Sequence, residues 1–201
     1  MTGLEQALVE PLAVARRAVR RSSVAPGDSV VIVGGGPIGQ AILAWLRHLG
    51  VEDVTLSDPV ADRRVLALEL GATAAFDPTD ELALLEAVLA GADVVFECVG
   101  RPGMIAGAMD LAAVDGRVVV VGVCAAADVI VPYTGLRKEL DVRFALYYER
   151  EDFTDTIDAL ASADGLVPDG YVDGAIGLEE LPDRFAQLVA GASGGKVIVA
   201  P

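Results

Sequence analysis

The segment that most restricts the fold is residues 29–39, SVVIVGGGPIG. Ser29–Val33 is a β-branched run, which favours a buried strand. It passes without a spacer into Gly34-Gly35-Gly36-Pro37-Ile38-Gly39. A G-x-G-x-x-G pattern is weak by itself, but here it leaves a strand and opens a helix, which is the context that gives it meaning. Pro37 suits a first helical position, where a missing N–H is no loss. Gly34 then allows the tight turn, Gly36 lets the backbone approach a pyrophosphate, and Gly39 lets the helix pack close to the strand. The unpaired N–H groups and positive end of the new helix attract phosphate.

The rest of the chain repeats this alternation. Strands are predicted at 53–57, 74–76, 93–98 and 117–123. Helices are predicted at 2–21 (broken at Glu10-Pro11), 37–49, 61–70, 80–90 and 104–113. The strands are continuous apolar runs, the mark of a parallel sheet covered on both faces. Right-handed crossovers make such a sheet doubly wound. The fold class is α/β, a Rossmann sheet of about six strands with an N-terminal helix and a small C-terminal strand-helix-strand appendage. A further strand at 141–148, a helix at 152–163, short strands at 171–176 and 196–199, and a helix at 178–189 complete it. The expected units are 1–26 (helix and linker), 27–150 (dinucleotide-binding domain) and 151–201 (appendage).

The second strand ends on Asp58, 19 positions after Gly39. A carboxylate there accepts bonds from adenosine ribose hydroxyls and repels a 2′-phosphate, which favours NAD(H) over NADP(H). Arg63 and Arg64 begin the following helix close by; a basic residue here is what a 2′-phosphate needs, and the alternative is that they flank the adenine. Cys98, Val99 and Gly100, with Gly122 and Val123, end two later strands. Ligands bind beyond the carboxyl ends of such strands, so these positions are expected on the nicotinamide side, mainly by backbone. The cofactor-binding set is thus Gly34, Gly36, Pro37, Ile38, Gly39, Asp58, Arg63, Cys98, Val99, Gly100, Gly122 and Val123.

Composition excludes other classes. Formal net charge is -15, which argues against nucleic acid and anionic membranes as partners. No apolar stretch approaches the roughly 20 residues of a membrane helix. The N-terminus carries acids early and basic residues late, opposite to a secretory signal, so a cytoplasmic setting is expected. Cys98 and Cys124 form no CxxC. His48, the single histidine, sits at the wrong end of its helix for catalysis. Lys138-Glu139 reads as a salt pair in a turn.

The runs ALVEPLAVARRAV, APGDSVVIVGGGPIGQ, SDPVADRRVLALELGA, DVVFECVG, GRVVVVGV and GGKVIVAP resemble, in order and spacing, the medium-chain zinc alcohol dehydrogenases, and in particular the sorbitol and threonine dehydrogenase branch. The resemblance implies a nucleotide-binding part only. The family's GroES-like barrel, which supplies the zinc ligands, has no counterpart in these residues, so a truncated, zinc-free reading is expected. Glu10 matches a glutamate near the catalytic zinc in that branch. Glu10 and Tyr148, whose residue types can relay protons, are the weak catalytic candidates. The resemblance also implies a homodimer through the edge of strand 141–148, and it leaves room for a separate partner chain. Two functions stay open: an NAD-dependent oxidoreductase for a small alcohol, polyol or ketone, or a non-catalytic NAD(H)-binding accessory subunit, split half or degenerate paralogue.

Overall fold

A computed structural model describes residues 6–162, 166–167, 170–190 and 195–200. Six strands, β1 (Ser29–Val33), β2 (Asp53–Ser57), β3 (Ala74–Phe76), β4 (Ala92–Glu97), β5 (Ala112–Val120) and β6 (Asp141–Phe144), form one sheet in the order β3-β2-β1-β4-β5-β6. Every pair is parallel. The helices between and beside them are α1 (Val9–Ser22), α2 (Pro37–His48), α3 (Ala61–Glu69), α4 (Glu81–Ala90), α5 (Met104–Leu111), α6 (Pro132–Lys138) and α7 (Arg150–Ala161).

Both sheet faces are apolar because successive strand residues point to opposite sides. Val30 and Ile32 of β1 join a core with Leu12, Ile42 and Trp45, whereas Val31 packs with Val95 and Met109 on the other face. The first core also takes Leu8 from the N-terminal segment and Tyr171 and Ile198 from the C-terminal one.

Helix α1 begins at Val9 and does not break at Glu10-Pro11. Pro11 lies in the first turn, where its missing N–H has no intrahelical partner to lose. Residues 2–5 of the expected helix lie outside the described residues. Trp45 Nε1 donates to the Leu12 carbonyl at 2.9 Å, and the Arg16 guanidinium stands 5.2 Å over the Trp45 ring. Arg17 and Arg20 reach Glu149, and Arg20 also bonds Glu151 and the buried Asp152 at the start of α7.

Strand β6 is four residues long, not the eight expected over 141–148. Ala145 turns into the core, and Tyr147 is left-handed at φ 55°. Glu149 then caps α7, its N–H donating to Asp152 Oδ2 at 2.8 Å. The helix-start signal overrides the extended preference of the two tyrosines. Lys138 also departs from expectation. It is buried, and its Nζ donates to the carbonyls of Met109, Asp110 and Ala112 at the end of α5. Burial lowers its pKa, and the three carbonyls satisfy its three N–H donors.

The C-terminal strands β7 (Val172–Ile176) and β8 (Lys196–Val199) pair with each other in parallel around a 3₁₀ turn (Leu178–Glu180) and helix α8 (Leu181–Val189). They are joined to the main sheet's core by Tyr171, which is fully buried and donates from its hydroxyl to the Pro37 carbonyl at 3.2 Å.

The arginine cluster on α1 makes a prediction. Arg20→Ala should lower unfolding stability by about 1–3 kcal/mol, because it leaves the buried Asp152 carboxylate without its cation. The hydrogen bond from Arg20 holds the Glu149 carboxyl below its usual pKa. A depressed carboxylate stabilises the fold above its unfolded pKa of about 4.3, and that contribution is lost as pH falls toward the lower folded value. Thermal melts from pH 7 downward should therefore show an acid loss of melting temperature that is smaller in Arg20→Ala.

Candidate functional site

The chain leaves β1 at Gly34, whose φ of 101° suits glycine. The next peptide is held from both sides. Gly35 N–H donates to Asp58 Oδ2 at 2.8 Å, and Gly35 C=O accepts from Gln40 Nε2 at 2.8 Å. Both side chains are buried. Gly34 N–H donates to the Ser57 carbonyl at 2.8 Å, so the turn is tied to the end of β2 through main chain and side chain together.

The three motif glycines differ in what surrounds them. A Cβ on Gly39 would lie 1.9 Å from the Gly34 carbonyl oxygen. A Cβ on Gly34 would meet Val99 at 2.9 Å. A Cβ on Gly36 would meet nothing within 4 Å. Gly36 precedes α2, with Pro37 at its first position, so the N–H groups of the opening turn face outward without helical partners. The Ile38 side chain packs against the core, leaving its N–H for that face. A cradle closed behind Gly39 and open before Gly36 fits a pyrophosphate.

Asp58, expected to face the ribose, is bonded within the protein. Besides Gly35, its Oδ1 accepts from Val60 N–H at 2.8 Å, and Arg63 Nη1 stands 3.4 Å from Oδ2. Arg64 donates to the Asp58 carbonyl at 2.7 Å and to Asp77 at 3.1 Å. Between these strand ends and α5 lies a largely apolar crevice of about 380 Å³, walled by Ser57, Pro59, Thr79, Val99 and Arg101 among others. Val99, expected toward the nicotinamide, is thus on the crevice wall shared with the end of β2.

The ends of β4 and β5 are held by Glu97, which is 1% exposed. Its Oε1 accepts from Val99 N–H at 2.7 Å and Gly100 N–H at 2.8 Å. Its main-chain carbonyl accepts from Val121 and Gly122 N–H. The two loops touch backbone to backbone: a Cβ on Gly122 would lie 2.2 Å from Gly100 N, and one on Gly100 would lie 2.5 Å from Val123 N. Both glycines are therefore required for packing before any ligand is considered. Val123 is exposed beyond them, and Cys98 is half-buried, its thiol pKa pushed up by burial and then by the Glu97 charge.

Of the expected cofactor residues, Gly34 and Val99 wall the crevice; Gly36, Pro37, Ile38 and Gly39 open α2, Asp58 and Arg63 meet after β2, and Cys98, Val99, Gly100, Gly122 and Val123 follow the ends of β4 and β5. Glu10 is exposed on α1, and Tyr148 stacks on Phe153 of α7 with ring centroids 5.6 Å apart; neither walls the crevice. Gln40 and Glu97 escaped the sequence reading. Glu97 had a signal, an acid interrupting the apolar run DVVFECVG; Gln40 had none. Among the described residues no group of three or more His, Cys, Asp or Glu could hold a metal ion. No described helix is long and apolar enough to cross a membrane.

Residues 37–162 match the family described as zinc-binding dehydrogenase. The chain is 36% identical over 197 residues to a 2-dehydro-3-deoxy-L-galactonate 5-dehydrogenase of Pseudoalteromonas atlantica, covering 96% of this chain and 57% of the relative. It is 36% identical over 198 residues to a scyllo-inosose 3-dehydrogenase of Thermotoga maritima, covering 92% and 49%. A solved structure from Sinorhizobium meliloti, described as a zinc-binding dehydrogenase bound to NADP, superposes with a TM-score of 0.87 at 32% identity, covering 98% of this chain and 59% of the other. The chain spans about half the length of the curated relatives it matches.

The glycine geometry separates folding from binding. Gly39→Ala should destabilise the protein by about 3 kcal/mol or more, since backbone must move to admit the methyl. Gly36→Ala should melt within about 0.5 kcal/mol of wild type. Denaturant titration of the two variants checks both.

Proposed function

The chain belongs to the zinc-binding dehydrogenase family, and from that membership we propose that it holds NAD(H) along the ends of β2, β1, β4 and β5, as the cofactor-binding part of an oxidoreductase for a small alcohol, polyol or ketone. The observation that carries the reading is the turn itself, rigid behind and open in front: Gly35 is clamped by Asp58 and Gln40, while nothing stands before Gly36.

Each residue has a part. The amides of Gly36, Ile38 and Gly39 receive the pyrophosphate, and Pro37 presets the helix that presents them. Asp58 accepts from the adenosine ribose hydroxyls with the lone pairs its protein bonds leave over. The apolar crevice takes the adenine, with Arg63 beside it and Val99 as a wall. Cys98, Gly100, Gly122 and Val123 frame the nicotinamide half by backbone. When bound, the nicotinamide supplies hydride transfer; the protein supplies orientation and exclusion of water. The Asp58 charge disfavours a 2′-phosphate, which selects NAD(H). The NADP bound to the Sinorhizobium relative makes that selection a point for direct measurement.

One observation favours a second reading. Glu10 lies exposed on α1 and Tyr148 packs on Phe153 of α7, apart from the Glu97, Val99 and Gly100 cluster at the proposed nicotinamide end, so the proton relay of a complete enzyme has no candidate at hand. In this reading the chain binds NAD(H) as an accessory or separated part, and catalytic groups, zinc included, come from elsewhere. A cytoplasmic setting and a homodimer belong to the same proposal. The edge strand β6 and the exposed Phe144, Leu146 and Tyr147 after it give a second copy an apolar edge to cover. The shortened strand makes that contact rest on side chains as much as on backbone pairing.

Titration with NADH and NADPH, followed by turnover assays on alcohols and ketones with and without zinc, tests the reading. NADH should bind more tightly than NADPH; failure to bind either sinks it. Gly36→Ala should lose at least about tenfold in NADH affinity, roughly 1.4 kcal/mol. Asp58→Ala should weaken NADH by about 1–3 kcal/mol and also lower the melting temperature, because the clamp on Gly35 goes with the carboxylate. Light scattering at micromolar concentration should report a dimer, and a clean monomer overturns that part.

A further inference from the structure

Glu97 is a buried carboxylate at the centre of the sheet's ligand edge. Two amides, Val99 and Gly100, donate to its Oε1. No ion pair joins it to an arginine, lysine or histidine among the described residues. A Cβ on Gly122 would lie 2.8 Å from its Oε2, so it sits directly beneath the contact between the β4 and β5 loops. A buried charge without a cation is expensive, and two amides offset only part of that. Other buried acids of this chain are better supplied: Asp152 has Arg20, and Asp58 has Arg63.

The unpaired charge lies on the far side of β1 from Asp58, where the strand order places the other half of a bound dinucleotide. Oxidised and reduced nicotinamide differ there by one positive charge on the ring. We propose that Glu97 is a positioning residue that also acts electrostatically, its charge, unpaired with any cation among the described residues, favouring the cationic oxidised cofactor over the neutral reduced one. It also fixes the two loops that frame the ring. This rests on the dinucleotide reading above. A carboxylate held in a low-dielectric site acts over several ångströms with little screening.

The test is the ratio of dissociation constants for NAD⁺ and NADH, measured by calorimetry or fluorescence. Glu97→Gln keeps an oxygen acceptor for both amides and removes the charge. It should raise the ratio Kd(NAD⁺)/Kd(NADH) by about fivefold or more, as expected for one charge acting at partial burial, with ADP-ribose affinity changed less than twofold. Glu97→Asp keeps the charge on a shorter arm. It should lower thermal stability while leaving the ratio within about twofold of wild type. Glu97→Asn is a second neutral variant, and its ratio should rise as that of Glu97→Gln does. A merely structural role would weaken both redox forms together, so an unchanged ratio in the neutral variants overturns the proposal whatever happens to the absolute affinities. Wild-type protein that binds neither form overturns the dinucleotide reading and this proposal with it. Wild-type binding with an unchanged ratio overturns this proposal alone.

Discussion

One peptide group, Gly35, carries the arrangement of the ligand edge. Its N–H is taken by a carboxylate from β2 and its C=O by an amide from α2. Neighbouring strands are thereby fastened to each other and to the helix at the point where the chain reverses. A glycine turn has more backbone freedom to lose than any other. Here that freedom is removed by buried, charge-assisted bonding. The helix that follows can then approach until Gly39 rests against the Gly34 carbonyl, and the position of its outward amides follows from that contact.

The second constraint is a sheet that must be covered on both faces. On one face the cover comes from α2, α1 and α7, and the last two are held together by a cluster of arginines and acids. On the other face the cover is thinner. Helix α4 buries no residue fully, and Leu82, Leu85 and Leu89 remain exposed. The crevice thus opens on the more thinly covered side of the sheet, between the strand ends and α5, the distribution expected of binding regions.

What could be read in the sequence was what depends on local pattern. The apolar runs from Ser29 to Val33 and across 93–98 gave parallel strands, and the glycine spacing gave the turn, because both follow from backbone geometry and period. Asp58 was visible as an acid ending a strand, yet its bond to Gly35 was not, since that depends on the distance between two strand ends. Lys138 was misplaced for the same reason, since its partners lie in another element; Glu97 and Gln40 bond close by, to Val99, Gly100 and Gly35, but which way those side chains turn does not follow from spacing. Lys138 reads as half of a salt pair in a turn, whereas the end of α5 supplies it with three carbonyls. The strand expected to run to residue 148 stopped at Phe144, because the cap that opens α7 competes for the same residues and is the stronger signal.

The contact between Tyr171 and Pro37 reaches further than a single hydrogen bond of 3.2 Å. Residue 171 opens the last strand pair, while residue 37 opens the helix that follows the glycine turn. The last strand pair therefore covers the first turn of that helix, and the ligand edge is not finished until residue 171 has been made. During synthesis the sheet assembles as its strands emerge, but the turn's final setting waits for Tyr171. A protease that clipped the tail before residue 171 would leave the six-stranded sheet in place and uncover the base of α2. The segment with the least obvious link to the site is in this sense the part that closes it.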